Sequence, residues 1–280
     1  MKQLRIVHTT GFEYGGKALA SYNQARLTPV TTPQQIVLHH RVEISPKPWT
    51  YTYRDYFGNE VLAFEVVDPH EALTVTATST VQVEAAPLPE WATSWEQLAR
   101  PEVSDRWTEY LMLPELVAPP DDLAARAKEI AAAATLPADA AREICAFVSG
   151  EIANAPGSTN ASTPATVAWR QRAGVSQDVV HLVLGALRTV GIPARYVSGY
   201  AHPVEHPEIG QTVAGDSHAW VEWWDDGWQP FDPTTCVSPG DTYVAVARGR
   251  DYTDVRPLAG IYSGAPTSRL FVDVDITRLG

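Results

Sequence analysis

Three short segments of this 280-residue chain carry side chains suited to nucleophilic catalysis: GVSQDVVHL (174–182), DSHAWVEWW (216–224) and GWQPFDPTT (227–235). Ser176 lies two residues after Gly174 and opens an apolar helical run, so it is predicted at a helix N-terminus. Unpaired backbone N–H groups and the positive end of the helix dipole stabilise an oxyanion or a thiolate there. His218 begins a strand and Asp232 ends the next one, so an imidazole and a carboxylate can lie side by side. The three residues predict a nucleophile, a base and a carboxylate that orients the base.

Each of these residues also has a common structural role. A serine before a helix is usually an N-cap, a lone histidine among aromatic residues usually belongs to the core or the surface, and Asp-Pro is a frequent turn dipeptide. Only the occurrence of all three in this order indicates catalysis.

The elements that must position these side chains fall into two regions. From Leu4 to Val83 the chain alternates apolar and polar residues, with turn signals such as Gly15-Gly16 and Gly58-Asn59, which predicts an antiparallel β domain over residues 1–100. A segment rich in proline and tryptophan follows, and residues 101–120 are predicted to be a connector.

Residues 121–280 are predicted to form the catalytic core with a C-terminal strand. Helical patterns begin at Asp121, after Pro137, at Thr163-Pro164 and near Ser176, where the fourth helix runs until Gly191-Ile192-Pro193. Strand patterns follow, and the last of them places the side chains of Leu270, Val272, Val274 and Ile276 on one face. Helices followed by an antiparallel sheet indicate an α+β fold.

Composition limits the partners. A formal net charge of −12 and a pI near 5.1 argue against nucleic acid, since phosphate binding needs clustered lysine and arginine. No signal peptide and no apolar run long enough for a membrane span are expected. Cys145 lies in an apolar helical pattern typical of a reduced core thiol, although a disulfide with Cys236 stays open, so a cytoplasmic location is expected.

Motifs along nearly the whole chain resemble the bacterial transglutaminase-like family. In the core these are GVSQD with HL, GIPARYVSGY, DSHAWVEWW and GWQPFDPTT, in this order and spacing. HTTGFEY, RLTP and DYFGNE resemble that family's N-terminal β region, and VAVARGRDYTDVRPLAG resembles its C-terminal segment. The resemblance implies a papain-like transglutaminase core, a helical layer packed on an antiparallel sheet, beside an N-terminal antiparallel β domain.

The resemblance also implies a Cys-His-Asp triad, with cysteine expected where this chain has Ser176, histidine at His218 and aspartate at Asp232. Family members are thought to act on amide bonds as thiol proteases, amidases or acyl transferases. A serine hydroxyl is far less acidic than a thiol, so a site shaped for a thiolate–imidazolium pair is expected to be largely inactive with serine. Ser176 is then either an introduced inactivating substitution or a natural variant.

Four further residues are candidates for substrate contact: Gln177, His181, His202 and Trp220. Gln177 follows the nucleophile position, and His181 lies on the same helix, where core packing is its alternative role. The loop between Tyr200 and Gly215 carries His202 and is expected to line the rim of the cleft, with Trp220 as part of an aromatic wall. The prolines of AHPVEHP argue against a metal site at His202 and His206, and no metal or cofactor is expected.

The sequence therefore predicts a transglutaminase-like hydrolase acting on a peptide or protein, with an amine-accepting acyl transferase as the alternative. A non-catalytic peptide-binding protein and a serine hydrolase also stay open. The oligomeric state does not follow from the sequence.

Overall fold

The computed structural model describes residues 1–85, 93–204 and 206–280. Residues 86–92, at the end of the predicted β domain, and position 205 lie outside the described residues. The described chain has the predicted α+β architecture, with helices packed on antiparallel sheets. None of its helices is both long enough and apolar enough to cross a membrane.

The N-terminal region is formed by six strands: β1 (Lys2–Ala18), β2 (Ala20–Ala25), β3 (Gln35–Ser45), β4 (Trp49–Arg54), β5 (Glu60–Val66) and β6 (His70–Val83). They are divided between two sheets that pack face to face. Their shared core includes Tyr14, Phe64, Leu73 and Val75, all buried. Burial alternates along β6, as expected for a strand with one face on a core.

Two C-terminal strands complete these N-terminal sheets, and this corrects the predicted domain boundary. β14 (Leu258–Ser263) pairs with β2, and β15 (Ser268–Arg278) pairs with β1 over an unbroken register. The sheets have the orders β10-β15-β1-β6-β3 and β14-β2-β5-β4, where β10 is Thr212–Gly215. The last strand therefore belongs with the N-terminal sheets rather than with the catalytic core.

The segment before the core contains short helices: α1 (Trp95–Leu98), α2 (Pro101–Ser104) and a 3₁₀ turn (Thr108–Tyr110). The helical layer follows, with α3 (Asp121–Ala133), α4 (Pro137–Glu151), α5 (Ala165–Gln171) and α6 (Ser176–Thr189). Pro137 occupies the first turn of α4. The N–H groups of a first turn have no partner within the helix, so the N–H that proline lacks costs no hydrogen bond. The helix starts predicted at Asp121 and Ser176 are confirmed.

Helix α6 is the centre of the core, because it is buried from Asp178 to Arg188. It ends where predicted: the Gly191 and Ile192 N–H groups bond the last carbonyls of the helix, and Gly191 takes a positive φ of 81°. Near its C-terminus the buried Arg188 guanidinium donates hydrogen bonds to the carbonyls of Met112, Ala194 and Arg250. These bonds hold α6, and with it Ser176, against the surrounding segments.

The core sheet packs against α6 and has the order β12-β11-β9-β13. Its strands are β9 (Ala194–Ala201), β11 (Ser217–Trp224), β12 (Trp228–Phe231) and β13 (Tyr243–Gly249). The remaining elements are a pair of two-residue strands, β7 (Ala153–Asn154) and β8 (Ala173–Gly174), and the short helix α7 (Tyr252–Val255). Cys145 on α4 is buried and Cys236 is exposed, and both thiols are free.

The N-terminal sheet and the core share one apolar cluster. Leu4 and Ile6 of β1, Val81 of β6 and Ile276 of β15 belong to the same buried cluster as α6 and the core sheet. His8 is buried at this junction, and its Nδ1 lies 2.8 Å from the Tyr200 hydroxyl of β9. The two regions therefore pack as one continuous unit.

The buried His8 makes stability pH-dependent. Burial lowers the pKa of His8 from 6.5 to about 4. As the pH falls, His8 binds a proton in the unfolded chain before it does so in the folded protein. The stabilisation of the folded protein by neutral His8 is therefore complete above pH 6.5 and is lost as the pH falls through 4. We expect the free energy of unfolding to fall by roughly 3 kcal/mol from this residue between pH 7 and pH 4.

Urea unfolding at several pH values measures this effect. His8→Phe is expected to show a smaller decrease with pH than the parent protein, and His39→Phe, which alters an exposed histidine, serves as the matched control. An equal decrease in His8→Phe and in the parent protein would contradict the assignment.

Candidate active site

Ser176 occupies the first position of α6, and a tight set of contacts holds the chain entering that helix. The Asp178 carboxylate accepts hydrogen bonds from the Val175 N–H at 2.8 Å and from the Thr159 hydroxyl at 2.6 Å. A Cβ at Gly174 would lie 2.7 Å from the Asp178 side chain, so only glycine fits there. These contacts place the half-buried Ser176 at the positive end of the helix dipole.

His218 and Asp232 are brought together by neighbouring strands. His218 lies near the start of β11, and Asp232 directly follows β12, which pairs with β11. His218 Nε2 lies 2.5 Å from Asp232 Oδ2. This bond fixes the plane of the imidazole and leaves Nδ1 as the ring nitrogen that can serve a nucleophile.

Asp232 is fully buried and accepts hydrogen bonds at both carboxylate oxygens. Besides His218, the Tyr243 hydroxyl donates to Oδ2 at 2.8 Å, and the Thr234 N–H and hydroxyl donate to Oδ1 at 2.9 and 2.6 Å. Burial opposes ionisation, but the contact with His218 and these donors outweigh it and lower the pKa of Asp232 to about 2. A permanently charged carboxylate thus stands behind the imidazole at neutral pH.

Two aromatic side chains pack around the His218 ring. Its centroid lies 6.4 Å from that of Trp220 and 5.9 Å from that of Tyr243. Trp220 and Tyr243 in turn meet edge to face at 5.5 Å. Burial and the adjacent Asp232 carboxylate raise the pKa of Tyr243, so its hydroxyl stays a donor to Asp232. The ring of His218 is therefore held both by a hydrogen bond and by packing.

Ser176 and His218 line the same open groove of about 700 Å³. Asp216, Thr234 and Thr235 also line it, as do Tyr252 and Val272. Asp232 lies behind the groove wall and reaches it through His218. A volume of about 700 Å³ lies within the range of ligand-binding clefts.

The structure places the four predicted substrate contacts differently. Gln177 lines the groove, and its amide nitrogen lies 3.4 Å from the carbonyl oxygen of Asn160. His181 is fully buried, accepts a hydrogen bond from the Tyr252 N–H, and has its pKa lowered by burial to about 3. His181 therefore packs inside the core, and we do not retain it as a substrate contact.

Trp220 and His202 also lie outside the groove lining. Trp220 is buried, and its ring packs beside that of His218 with the ring planes tilted by 34°. The buried His202 ring bonds the backbone of Val204. Of residues 201–204 and 206–215, none lines the groove, so this loop does not form its rim as predicted. We therefore do not retain Trp220 and His202 as substrate contacts.

Sequence reasoning missed the residues that complete the site. Tyr243 lies on a strand away from the three motifs, and only tertiary structure brings it to Asp232. Thr234 carried a signal, because a threonine two residues after an aspartate commonly bonds its carboxylate. Across the described residues, no group of three or more histidine, cysteine, aspartate or glutamate side chains is arranged to hold a metal ion.

Two family models match this chain. Residues 4–82 match the bacterial transglutaminase-like N-terminal region, and residues 124–233 match the transglutaminase-like superfamily. The second match contains Ser176, His218 and Asp232.

Individual relatives extend the similarity over the whole chain. An uncharacterised protein of Mycobacterium leprae is 41% identical over 279 residues, covering 100% of both chains. An uncharacterised protein of Mycobacterium tuberculosis is 33% identical over 293 residues, covering 97% of this chain and 91% of that one. A protein-glutamine gamma-glutamyltransferase of Pseudomonas aeruginosa is 34% identical over 104 residues, which is 34% of this chain and 16% of that one.

A solved structure shows the same fold. The crystal structure of a proposed cysteine protease from Cytophaga hutchinsonii superposes with a TM-score of 0.77 at 20% identity, covering 100% of this chain and 91% of that one. The predicted papain-like α+β fold is thereby confirmed. With the two family matches and the full-length relatives, it establishes that this chain belongs to the transglutaminase-like superfamily.

Proposed function

We propose that this protein performs acyl transfer from amide groups of peptides or proteins at the groove formed by Ser176 and His218. The observation that carries the proposal is the 2.5 Å contact between His218 and the buried Asp232 carboxylate, with His218 facing the same groove as Ser176. A buried carboxylate that orients an imidazole beside a helix N-terminus is the arrangement that activates a nucleophile.

The chemical steps follow from these roles. The Ser176 oxygen bonds to the amide carbonyl carbon while its proton passes to His218, and the backbone N–H groups at the start of α6 stabilise the oxyanion. The C–N bond then breaks, and His218 returns the proton to the leaving amine. Water or a second amine, deprotonated by His218, attacks the ester and frees Ser176.

The serine sets the rate of this reaction. A thiol with a pKa near 8.5 becomes a thiolate beside an imidazolium, whereas a hydroxyl must lose its proton during the attack itself. We therefore expect the protein to be largely inactive with Ser176 and to turn over faster with cysteine at this position. The same reasoning supports a second candidate, a protein that holds peptides in the groove without cleaving them.

Hydrolysis and amine transfer remain separate forms of the proposal. Similarity to a protein-glutamine gamma-glutamyltransferase supports an amine acceptor, and similarity in fold to a proposed cysteine protease is compatible with water. A cytoplasmic location is also a proposal and rests on the free thiols Cys145 and Cys236.

Mass spectrometry of a glutamine-containing peptide library, incubated with a labelled primary amine, tests the proposal. Ser176→Cys is expected to give shortened or deamidated peptides if water is the acceptor, and labelled peptides if the amine is. His218→Ala in the same background is the control and should abolish either product. Peptide binding by the parent protein without any product from Ser176→Cys would favour the binding function instead.

A further inference from the structure

One edge of strand β15 is only partly covered. β15 pairs with β1 along its full length, from Ser268 to Arg278, but on its other side β10 pairs only with residues 274–277. Residues 268–273 therefore form an open strand edge. Because β1 pairs with this segment in an unbroken register, the edge is already extended.

The backbone groups of this edge point outward at alternate residues. The Arg278 carbonyl accepts a hydrogen bond from the Gly210 N–H, on the side of β10. N–H and C=O of one residue point to the same edge of a strand, and alternate residues repeat the direction. The backbone groups of Val272 and Leu270 thus face the open edge, and in the described part of the chain they have no hydrogen-bond partner there. Such a row of groups is a template for another strand.

The side chains beside this edge are apolar and accessible. Leu270 and Val272 lie on the same face of β15 as Val274 and Ile276, but the latter two are buried while Leu270 and Val272 are each 50% exposed. Val272 also lines the groove that contains Ser176 and His218. The open edge therefore offers apolar contacts at alternate residues and continues directly into the candidate active site.

The position of β10 shows where an added strand would lead. Gly215, the last residue of β10, pairs with Val274, and the chain then crosses to β11, where His218 follows three residues later. A strand continuing the line of β10 along residues 268–273 would have one end beside Val272, at the groove. The bound segment and the catalytic residues would then contact the same polypeptide.

We propose that the open edge of β15 binds an extended segment of the substrate polypeptide as an added β-strand and directs the adjoining residues to Ser176 and His218. Backbone hydrogen bonds supply affinity in this recognition mode, and side-chain contacts at alternate positions supply preference. We expect apolar residues against Leu270 and Val272. Asp216 in the groove and the net charge of −12 favour a neutral or basic segment over an acidic one.

The inference rests on the proposed function and is tested through binding. The probe is a fluorescein-labelled decapeptide of alternating valine and lysine, measured by fluorescence anisotropy with the parent protein. Two further versions of the peptide carry N-methyl groups on alternate residues. One is methylated at every valine, and the other is methylated at every lysine. We expect one version to lose at least tenfold in affinity and the other to stay within about twofold, since only one set of N–H groups can face β15.

Variants locate the binding edge. Val272→Pro removes an outward N–H without touching the bonds to β1 and is expected to weaken binding at least fivefold. Leu270→Lys should weaken binding, whereas Ile261→Lys, which alters an exposed residue of β14 with the same change in charge, should not. Circular dichroism and Tm verify that each variant is folded.

Equal binding of both methylated probes, or unchanged binding by folded Val272→Pro and Leu270→Lys, would overturn the proposal. A dimer of the parent protein that is lost in Val272→Pro would also overturn it, since the edge would then pair with a second copy. Alkylation of Ser176→Cys by iodoacetamide tests the proposed chemistry separately from binding at the β15 edge. Iodoacetamide is too small to contact the edge and the groove together. A reactive thiol without edge binding refutes only the edge, and edge binding with an unreactive thiol refutes only the proposed chemistry.

Discussion

Replacing Ser176 by cysteine is expected to yield a thiol that iodoacetamide alkylates at least 100-fold faster at pH 6 than an ordinary exposed thiol. An ordinary thiol has a pKa near 8.5 and is almost entirely protonated at that pH. At position 176 the helix dipole and the imidazolium of His218, held by the buried Asp232 carboxylate, favour the thiolate. Each tenfold increase in rate corresponds to about 1.4 kcal/mol, so a 100-fold increase requires the site to contribute about 3 kcal/mol.

The chain provides its own reference thiols for this measurement. Cys236 is exposed and free, so it reports the rate of an ordinary accessible thiol in the same solution. Cys145 is completely buried, and burial raises the pKa of its thiol, so it should remain unlabelled. Peptide mapping after timed alkylation gives all three rates.

His218→Ala in the Ser176→Cys background is the matched control, because it removes the imidazolium and leaves the helix N-terminus in place. It should lower the alkylation rate at position 176 towards that of Cys236 and leave only the contribution of the helix N-terminus. Equal alkylation rates at position 176 and at Cys236 in the Ser176→Cys protein that retains His218 would contradict an activated nucleophile.

Asp232→Asn in the Ser176→Cys background is expected to reduce amide turnover by about 10³–10⁴-fold. Removal of the negative charge leaves His218 without the group that fixes its ring and stabilises its protonated form, and the corresponding change in a serine protease triad costs about 10⁴-fold. The effect should fall on kcat, since Asp232 lies behind the groove and does not reach a bound peptide.

The same substitution should alter stability in a defined pH range. The pKa of Asp232 is about 2 in the folded protein and 3.8 for an ordinary aspartate, so its stabilisation is present above pH 3.8 and disappears as the pH falls through 2. That difference corresponds to ~2–3 kcal/mol at neutral pH. Asp232→Asn should lack this acid-dependent loss in urea unfolding.

Tyr243→Phe provides the comparison for Asp232→Asn. It removes one of the donors to Asp232 but keeps the charge and the contact with His218. We expect a loss of about 1 kcal/mol in stability and a far smaller loss of turnover than in Asp232→Asn. Similar turnover in both variants would mean that His218 does not depend on the negative charge of Asp232.

Local patterns in the sequence were enough to identify the triad candidates. Gly174 lies two residues before Ser176 and ends the previous element, and an apolar helical run follows Ser176. His218 lies near the start of a strand whose period of two places His218, Trp220 and Glu222 on one face. Such signals depend only on neighbouring residues, because helix starts and strand faces follow from a few positions of the chain. Asp232 needed the additional knowledge that strands joined by a tight turn lie side by side.

The roles of single buried residues depended on packing. His181 shares a helix with Ser176, and its sequence context does not tell a groove residue from a core residue; its burial follows from the strands and α7 packed over α6. The same holds for Trp220, which packs beside the His218 ring. Composition and spacing carry no information on which neighbours cover a face.

Short-range periodicity and motifs are enough to predict the α+β class, the start of α6 at Ser176, and the conjunction of Ser176, His218 and Asp232. Three other features follow from long-range packing: β14 and β15 return to the N-terminal sheets, Tyr243 bonds Asp232, and residues 268–273 of β15 leave an edge open beside the groove. These features join residues as far apart as Leu4 and Arg278. Pairing at such separations is selected by the packing of the whole chain, so no local pattern specifies it.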